Sequence, residues 1–474
     1  MNWLLTALWL LPLIGALATV LHRYVALAAA LGTLVIAILV AFQFDSGGAK
    51  FQLVTEHSWI SAINAQYIVG IDGIALTLVL LTAALVPVLL LATYNEWDCK
   101  IYPALIVLTE AMVILSFIAL DVLLFYVLFE AMLIPLYFLI GGPGAQRSYA
   151  AMKFLLYNLF GGLIMLAALV GVYSQAGTFD VRAIDLAGTS PDLLRALFAG
   201  FMFAFAVKAP LWPVHTWLPD AAVAAPPPAA VLMMAIVDKV GTFGMIRYCL
   251  TLFGDAANTF APLIMTLAVI SIVYGALVAI GQTDILRLIA YTSISHFGFI
   301  VLGIFAMSPQ SQAGATLYMV NHGVSTAALF LVAAVLVRRT GRRTIPDFGG
   351  VAKVAPKLAG VFLIAGLATL ALPGLAPFIS EFLVLVGTYR THPLPAIAAT
   401  AALVLSAIYI LWLYQRVFGG PPTGPEVKDL HLREVAFLAP LIAALVVLGV
   451  YPKPALDVIT PAVPQHSAEA STPR

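Results

Sequence analysis

The chain is 474 residues long, with 62% apolar or aromatic residues, only 9% charged residues and a formal net charge of +1. Soluble domains carry about 25% charged and about 45–50% apolar residues, so this composition excludes a water-exposed globule. It also excludes disorder, collagen and a coiled coil, and the near-zero charge gives no basis for binding nucleic acid.

A membrane-crossing helix needs roughly 20 apolar residues. In chain order, candidate spans fall near 3–20, 24–42, 68–93, 102–120, 121–141, 154–174, 196–215, 227–252, 260–281, 285–307, 313–337, 358–389, 394–418 and 435–451, about 14 in all. The first lacks a basic start and reads as a span, not a cleavable signal. Cys99 and Cys249 each sit near the end of an apolar stretch, so no disulfide framework is expected. The fold expected is an all-α polytopic membrane protein, one domain over 1–474. It divides into N-terminal helices (1–101), two helical sets (102–253 and 260–418) and a C-terminal helix with its tail (435–474).

Two spans are interrupted by proline. The seventh reads VKAPLWPVHTWLPD and the twelfth LATLALPGLAPFISEF. Mid-helix proline removes a backbone hydrogen bond, and such breaks persist in a membrane only beside protein-enclosed or watery space. Spans 4–8 and 9–13 each place the break fourth of five, which points to inverted five-helix repeats and an ion path at mid-membrane. With the N-terminus outside, fourteen lysines and arginines fall on cytoplasmic connections and six on the opposite side. This favours both termini outside the cytoplasm.

A charged side chain at mid-membrane costs at least about 2.5–3.5 kcal/mol, so each one needs a partner or a purpose. The clearest are Glu130, Lys208, Lys239 and Glu381, with Glu110, Asp238 and Arg247 as secondary cases. Arg247, near a helix end, is expected to snorkel to the interface. Asp238 and its neighbour Lys239 point about 100° apart on one helix and do not pair simply. His215, His296 and His322 extend the series; histidine, chargeable near pH 7, is suited to passing protons. Helices packed about 8–10 Å apart cannot bring all of Lys239, His296, His322 and Glu381 into direct contact. Water is therefore expected between these groups.

The run VKAPLWPVHTWLPDAAVAAPPPAAVLMMAIVDKVG, with LFYVLFEAMLIPLYFLIG before it and LIAYTSISHFGFIVLG and LPGLAPFISEF after it, resembles the antiporter-like subunits of respiratory complex I. HTWLPDA is specific for this superfamily, and FEAMLIPLYFLIG separates the M type from its L and N relatives. DKVGTFGMIRY is similar to actinobacterial versions. The resemblance covers nearly the whole chain. It implies that Glu130 and Lys208 form the ion pair of a first half-channel and that Lys239 is the central lysine. His296 and His322 would belong to a connecting polar axis, and Glu381 to the exit half-channel; His215 is the histidine of HTWLPDA. The sequence departs from the family at Ala222, where a second histidine is usual, at Ala225 and Pro227, and at Asp238, which replaces an apolar residue.

The resemblance further implies a proton-translocating, non-redox subunit of NADH:quinone oxidoreductase in a bacterial plasma membrane. NADH, FMN, iron–sulfur clusters and quinone (menaquinone in many actinobacteria) would be held by partner subunits, with L- and N-type subunits as neighbours and no cofactor or metal on this chain. Other readings are a subunit of a multi-subunit sodium/proton antiporter or membrane-bound hydrogenase, or a structural subunit with a vestigial channel. The basic asymmetry generates a first prediction. A cysteine placed near Arg474 should react with membrane-impermeant reagents from outside the cell, and labelling from the cytoplasm alone would reverse the orientation.

Overall fold

The computed structural model describes residues 3–22, 24–93, 100–142, 144–422 and 427–464; Arg23, Cys99 and Arg474 lie outside these ranges. The first helices are α1 (Trp3–Ala18), α2 (Tyr24–Gln43), α3 (Gly73–Thr93), α4 (Ile101–Ile118), α5 (Val122–Ile140) and α6 (Ala145–Ala176). Then come the two pieces α7a (Pro191–Lys208) and α7b (Trp217–Ala224), followed by α8 (Pro227–Leu250), α9 (Gly254–Ile280), α10 (Ile285–Phe305) and α11 (Pro309–Thr340). A second pair of pieces, α12a (Pro356–Thr369) and α12b (Ala376–Thr391), precedes α13 (Pro393–Phe418) and α14 (Leu432–Val450).

Among the described residues, eleven helices are long and apolar enough to cross a membrane. The three other expected spans fall short for physical reasons. Helix α1 has only 16 residues. Helix α7a carries Asp192, Arg195 and Lys208 within its 18 residues. The twelfth span is broken into pieces of 14 and 16 residues.

The chain is not helical throughout, as its composition suggested. An antiparallel hairpin, β1 (Gln52–Ile60) and β2 (Ala65–Ile71), precedes α3. The span expected from residue 68 therefore begins at Gly73. Ile68, Val69 and Ile71 suit a strand, and Asp72 starts the helix by accepting the Ala75 N–H at 2.8 Å. Arg247 also departs from expectation. It does not snorkel but pairs with Asp72 at 2.7 Å, both side chains being buried.

Both broken helices end the same way. Pro210 has no N–H to offer the last turn of α7a, and the Leu211 N–H reaches back to the Ala206 carbonyl at 2.9 Å. At the end of α12a the Leu372 N–H reaches the Leu367 carbonyl at 3.0 Å. A second feature also recurs. Val122 donates to Phe179 (2.8 Å) and Val181 to Leu120 (2.9 Å), stitching the α4–α5 turn to the α6–α7a connection. Ile285 donates to Arg343 (3.0 Å) and Ile345 to Thr283 (2.7 Å), stitching the α9–α10 turn to the α11–α12a connection. Asp121 and Asp284, one in each stitch, cap α5 and α10.

Helix α8 is buried along its whole length, surrounded by the other helices, whereas α2, α6, α9, α13 and α14 turn much of their apolar surface outward. Leu159, Phe160, Val404 and Val447 are among the exposed side chains, a surface suited to lipid. Two stretches of α8, Met233–Val237 and Met245–Leu250, are wound as π-helix. The buried Arg247–Asp72 pair generates a stability prediction. Arg247→Met leaves a carboxylate buried without its partner and should cost about 3–5 kcal/mol. Thermal unfolding in detergent checks this, with the double variant Arg247→Met/Asp72→Asn recovering most of the loss; equal losses would show that the pair is not coupled.

Candidate functional site

The buried charges lie on helices whose geometry is locally disturbed. In α5, Pro135 leaves the Ala131 carbonyl without its helical donor, one residue beyond Glu130. The Glu130 carboxylate has no hydrogen-bond partner. It rests against Gly162 of α6, where a Cβ would land on Oε1.

Lys208 ends α7a, where a cation faces the negative end of the helix. The Val207 carbonyl freed by the break accepts the Trp217 indole N–H at 3.0 Å. Lys208 Nζ donates to the Phe129 carbonyl at 3.4 Å and lies 4.4 Å from the centre of the Phe129 ring. The direct Glu130–Lys208 ion pair implied by the resemblance is not formed. The two groups are in electrostatic range, but Phe129 supplies the contacts of the ammonium. Cation–π attraction and a carbonyl take the place of the carboxylate.

Lys239 is held in a similar way. Its Nζ donates to the Met234 carbonyl, within the first π segment, at 2.6 Å, and lies over the Phe297 ring at 4.6 Å. It also meets His322 Nδ1 at 2.7 Å. A π turn loosens the usual i→i−4 ladder, and such turns are frequent at functional sites. On the far side of His322, Nε2 meets the hydroxyls of Ser293 (3.2 Å) and Thr326 (3.1 Å).

The axis continues through His296, whose ring centre is 5.4 Å from that of His322 with no hydrogen bond between them. His296 Nδ1 meets the Tyr318 hydroxyl at 2.6 Å, and that hydroxyl donates to Glu381 Oε2 at 3.1 Å. Because Tyr318 donates to the carboxylate, Nδ1 carries the proton shared with the phenol. Nε2 of His296, buried and without a partner, is left as an acceptor. Lys239, His322, His296 and Glu381 were expected not all to meet directly, with water between them. Lys239 and His322 are in direct contact, the His322–His296 junction is open, and Tyr318 bridges His296 to Glu381. Tyr318 makes this possible by spanning the distance from α10 to α12b. It was not singled out in the sequence, although it sits one helical turn before His322 on the same face of α11. Asn321 fixes the start of α12b by donating to the Ala376 carbonyl at 2.6 Å.

The remaining candidates do not join the row. His215 is buried beside Tyr274, with neither ring nitrogen hydrogen-bonded. Both carboxylate oxygens of Glu110, in α4, also lack hydrogen-bond partners. Asp238 is fully buried with two open oxygens. Asp220 of α7b, not singled out in the sequence, pairs with Lys153 at 2.7 Å and Arg287 at 3.0 Å. It thereby ties α6, α7b and α10 together. Among the described residues, no cluster of three or more His, Cys, Asp or Glu could hold a metal ion.

Residues 119–407 match the family model described as NADH:quinone oxidoreductase/Mrp antiporter, TM. The chain is 54% identical to NADH-quinone oxidoreductase subunit M of Mycobacterium tuberculosis, covering 97% of this chain and 93% of that protein. It is 38% identical to subunit M of Rhodobacter capsulatus, covering 93% and 89%. A chain of the structure titled respiratory complex I from Thermus thermophilus with bound NADH superposes with a TM-score of 0.89 at 32% identity, covering 97% of this chain and 98% of that one.

The contact at Gly162 generates a third prediction. Gly162→Ala should fold, because the three atoms nearest the added Cβ all belong to the free end of the Glu130 side chain. A structure of the variant should show the carboxylate moved off α6; an unmoved carboxylate would show that α6 gives way instead.

Proposed function

Because the chain belongs to the NADH-quinone oxidoreductase subunit M family, within the NADH:quinone oxidoreductase/Mrp antiporter group, we propose that it moves protons outward across the bacterial plasma membrane while partner subunits transfer electrons from NADH to quinone. The observation that carries this reading is the buried row Lys239–His322–His296–Tyr318–Glu381 through an otherwise apolar interior. Amines, imidazoles and a phenol exchange protons with one another. A sodium ion would need a cage of oxygen ligands, and this row does not offer one. The recurrent stitches and broken helices support two half-channels of opposite orientation, with Glu130 and Lys208 in the first and Glu381 in the second.

In this mechanism protonated Lys208 releases its proton toward Lys239. The Lys239 ammonium passes a proton to His322 Nδ1, which has its lone pair directed at Nζ. His322 then holds an imidazolium beside the Ser293 and Thr326 hydroxyls. Transfer to His296 Nε2 crosses the open junction, by a small shift of the rings or through one water. A proton arriving at Nε2 lets Nδ1 release its own to Tyr318, which delivers one to Glu381. The open junction serves as the gate of the row from Lys239 to Glu381, because every other step within that row starts from an existing hydrogen bond. Moving one charge against 100 mV costs about 2.3 kcal/mol, and this energy enters through contacts with partner subunits, the L- and N-type neighbours among them. NADH, FMN, iron–sulfur clusters and menaquinone belong to those partners in this reading, and both termini of this chain lie outside the cytoplasm.

The test uses the assembled complex in inverted membrane vesicles. NADH-driven proton uptake is read with a fluorescent pH indicator and normalised to NADH oxidation by an artificial acceptor. Lys208→Ala, Tyr318→Phe and Glu381→Gln should each nearly abolish uptake. Undiminished uptake in all three would reduce the row to a structural network.

A further inference from the structure

Adjacent residues of α8 face two different partners. Lys239 and Thr242, one turn apart, address α11: Lys239 through His322, and Thr242 through Met319 Sδ at 2.9 Å. Asp238 and Gly241, also one turn apart, share the next face. At Gly241 the end of α7a packs so closely that an added Cβ would lie 2.9 Å from the Phe205 carbonyl and 3.0 Å from the Ala209 nitrogen. Asp238 is therefore placed toward the C-terminal end of α7a, where Lys208 sits beside Ala209. Its carboxylate is in electrostatic range of both Lys208 and Lys239. The side chain is fully buried, and neither oxygen has a hydrogen-bond partner. A buried carboxylate with both oxygens open is costly, and such an exception calls for an explanation.

We propose that Asp238 is a proton-carrying relay residue between Lys208 and Lys239. This deepens, and rests on, the proton-translocation reading above. In the first step a proton leaves the Lys208 ammonium for the Asp238 carboxylate, giving a neutral amine and a neutral carboxylic acid. In the second step the carboxylic acid gives that proton to neutral Lys239, restoring the carboxylate and forming an ammonium. One N–H bond breaks and one O–H bond forms, then the reverse, and no other reactant is needed. The first step removes two opposite charges from a low-dielectric interior, so no isolated charge has to cross the gap. The two open oxygens leave the carboxylate free to serve either lysine in turn. The distance is covered by a swing of the short side chain or by one bridging water.

The assembled complex in inverted vesicles tests this, with uptake normalised as above. Asp238→Asn and the apolar Asp238→Leu should slow proton uptake by at least about tenfold, the scale of losing a proton-transfer partner. Asp238→Glu should restore much of it. During turnover, infrared difference spectra should contain a protonated-carboxyl stretch that is missing in Asp238→Asn and shifted in Asp238→Glu. Undiminished uptake in Asp238→Asn overturns the proposal. Slowed uptake without a carboxyl band assignable to this residue also overturns it, because Asp238 would then be a fixed counter-ion. Lys208→Ala in the same assay separates the two readings. If it, Tyr318→Phe and Glu381→Gln all pump normally, the translocation reading itself fails. If it does not pump while Asp238→Asn does, only the relay role is lost.

Discussion

The polar groups that this chain keeps in its interior can find partners only within the protein, because lipid supplies none. The disturbed backbone segments answer that requirement. The carbonyl released where α7a breaks is taken up by the Trp217 indole, and the Met234 carbonyl in a π turn is taken up by Lys239. The backbone irregularities and the buried cations satisfy one another. Straightening α8 would leave the Lys239 ammonium without one of its acceptors, and removing Lys239 would leave the Met234 carbonyl exposed to an apolar interior.

The same requirement explains how the two buried lysines are held. Each lies against a phenylalanine face and a backbone carbonyl instead of a carboxylate. A close carboxylate would bind an ammonium in a deep well, and breaking a buried pair costs several kcal/mol. The softer contacts of Phe129 and Phe297 allow the positive charge to be held without being trapped. The Arg247–Asp72 pair shows the contrast: a direct ion pair in the same interior, linking the hairpin end of α3 to the last turns of α8.

Much of this was legible in the sequence, for reasons that particular residues make clear. Apolar runs of about 20 residues located the helices, Pro210 and Pro373 marked the breaks, and Lys239, His322, His296 and Glu381 stood out as polar groups within apolar runs. The hairpin was not legible, because Ile68, Val69 and Ile71 read equally well as the start of a span. Tyr318 was overlooked because tyrosine among apolar residues resembles packing until its hydroxyl is placed between His296 and Glu381. The absence of a direct Glu130–Lys208 pair follows from the position of the Phe129 ring, which no spacing rule specifies. The π segments likewise arise from tertiary packing.

The two backbone stitches carry a mechanical consequence. Each joins neighbouring connections of its own five-helix set with a matched pair of N–H···O=C bonds, a fastening that salt does not screen as it screens surface ion pairs. A set fastened in this way is stiffened along that edge, like a page held at its spine. In the proposed arrangement of two half-channels of opposite orientation, the two spines lie on opposite faces of the membrane. Asp220, paired with Lys153 and Arg287, joins the unstitched end of the first set to the stitched turn of the second, so a sideways push at one spine would be handed on to the other set.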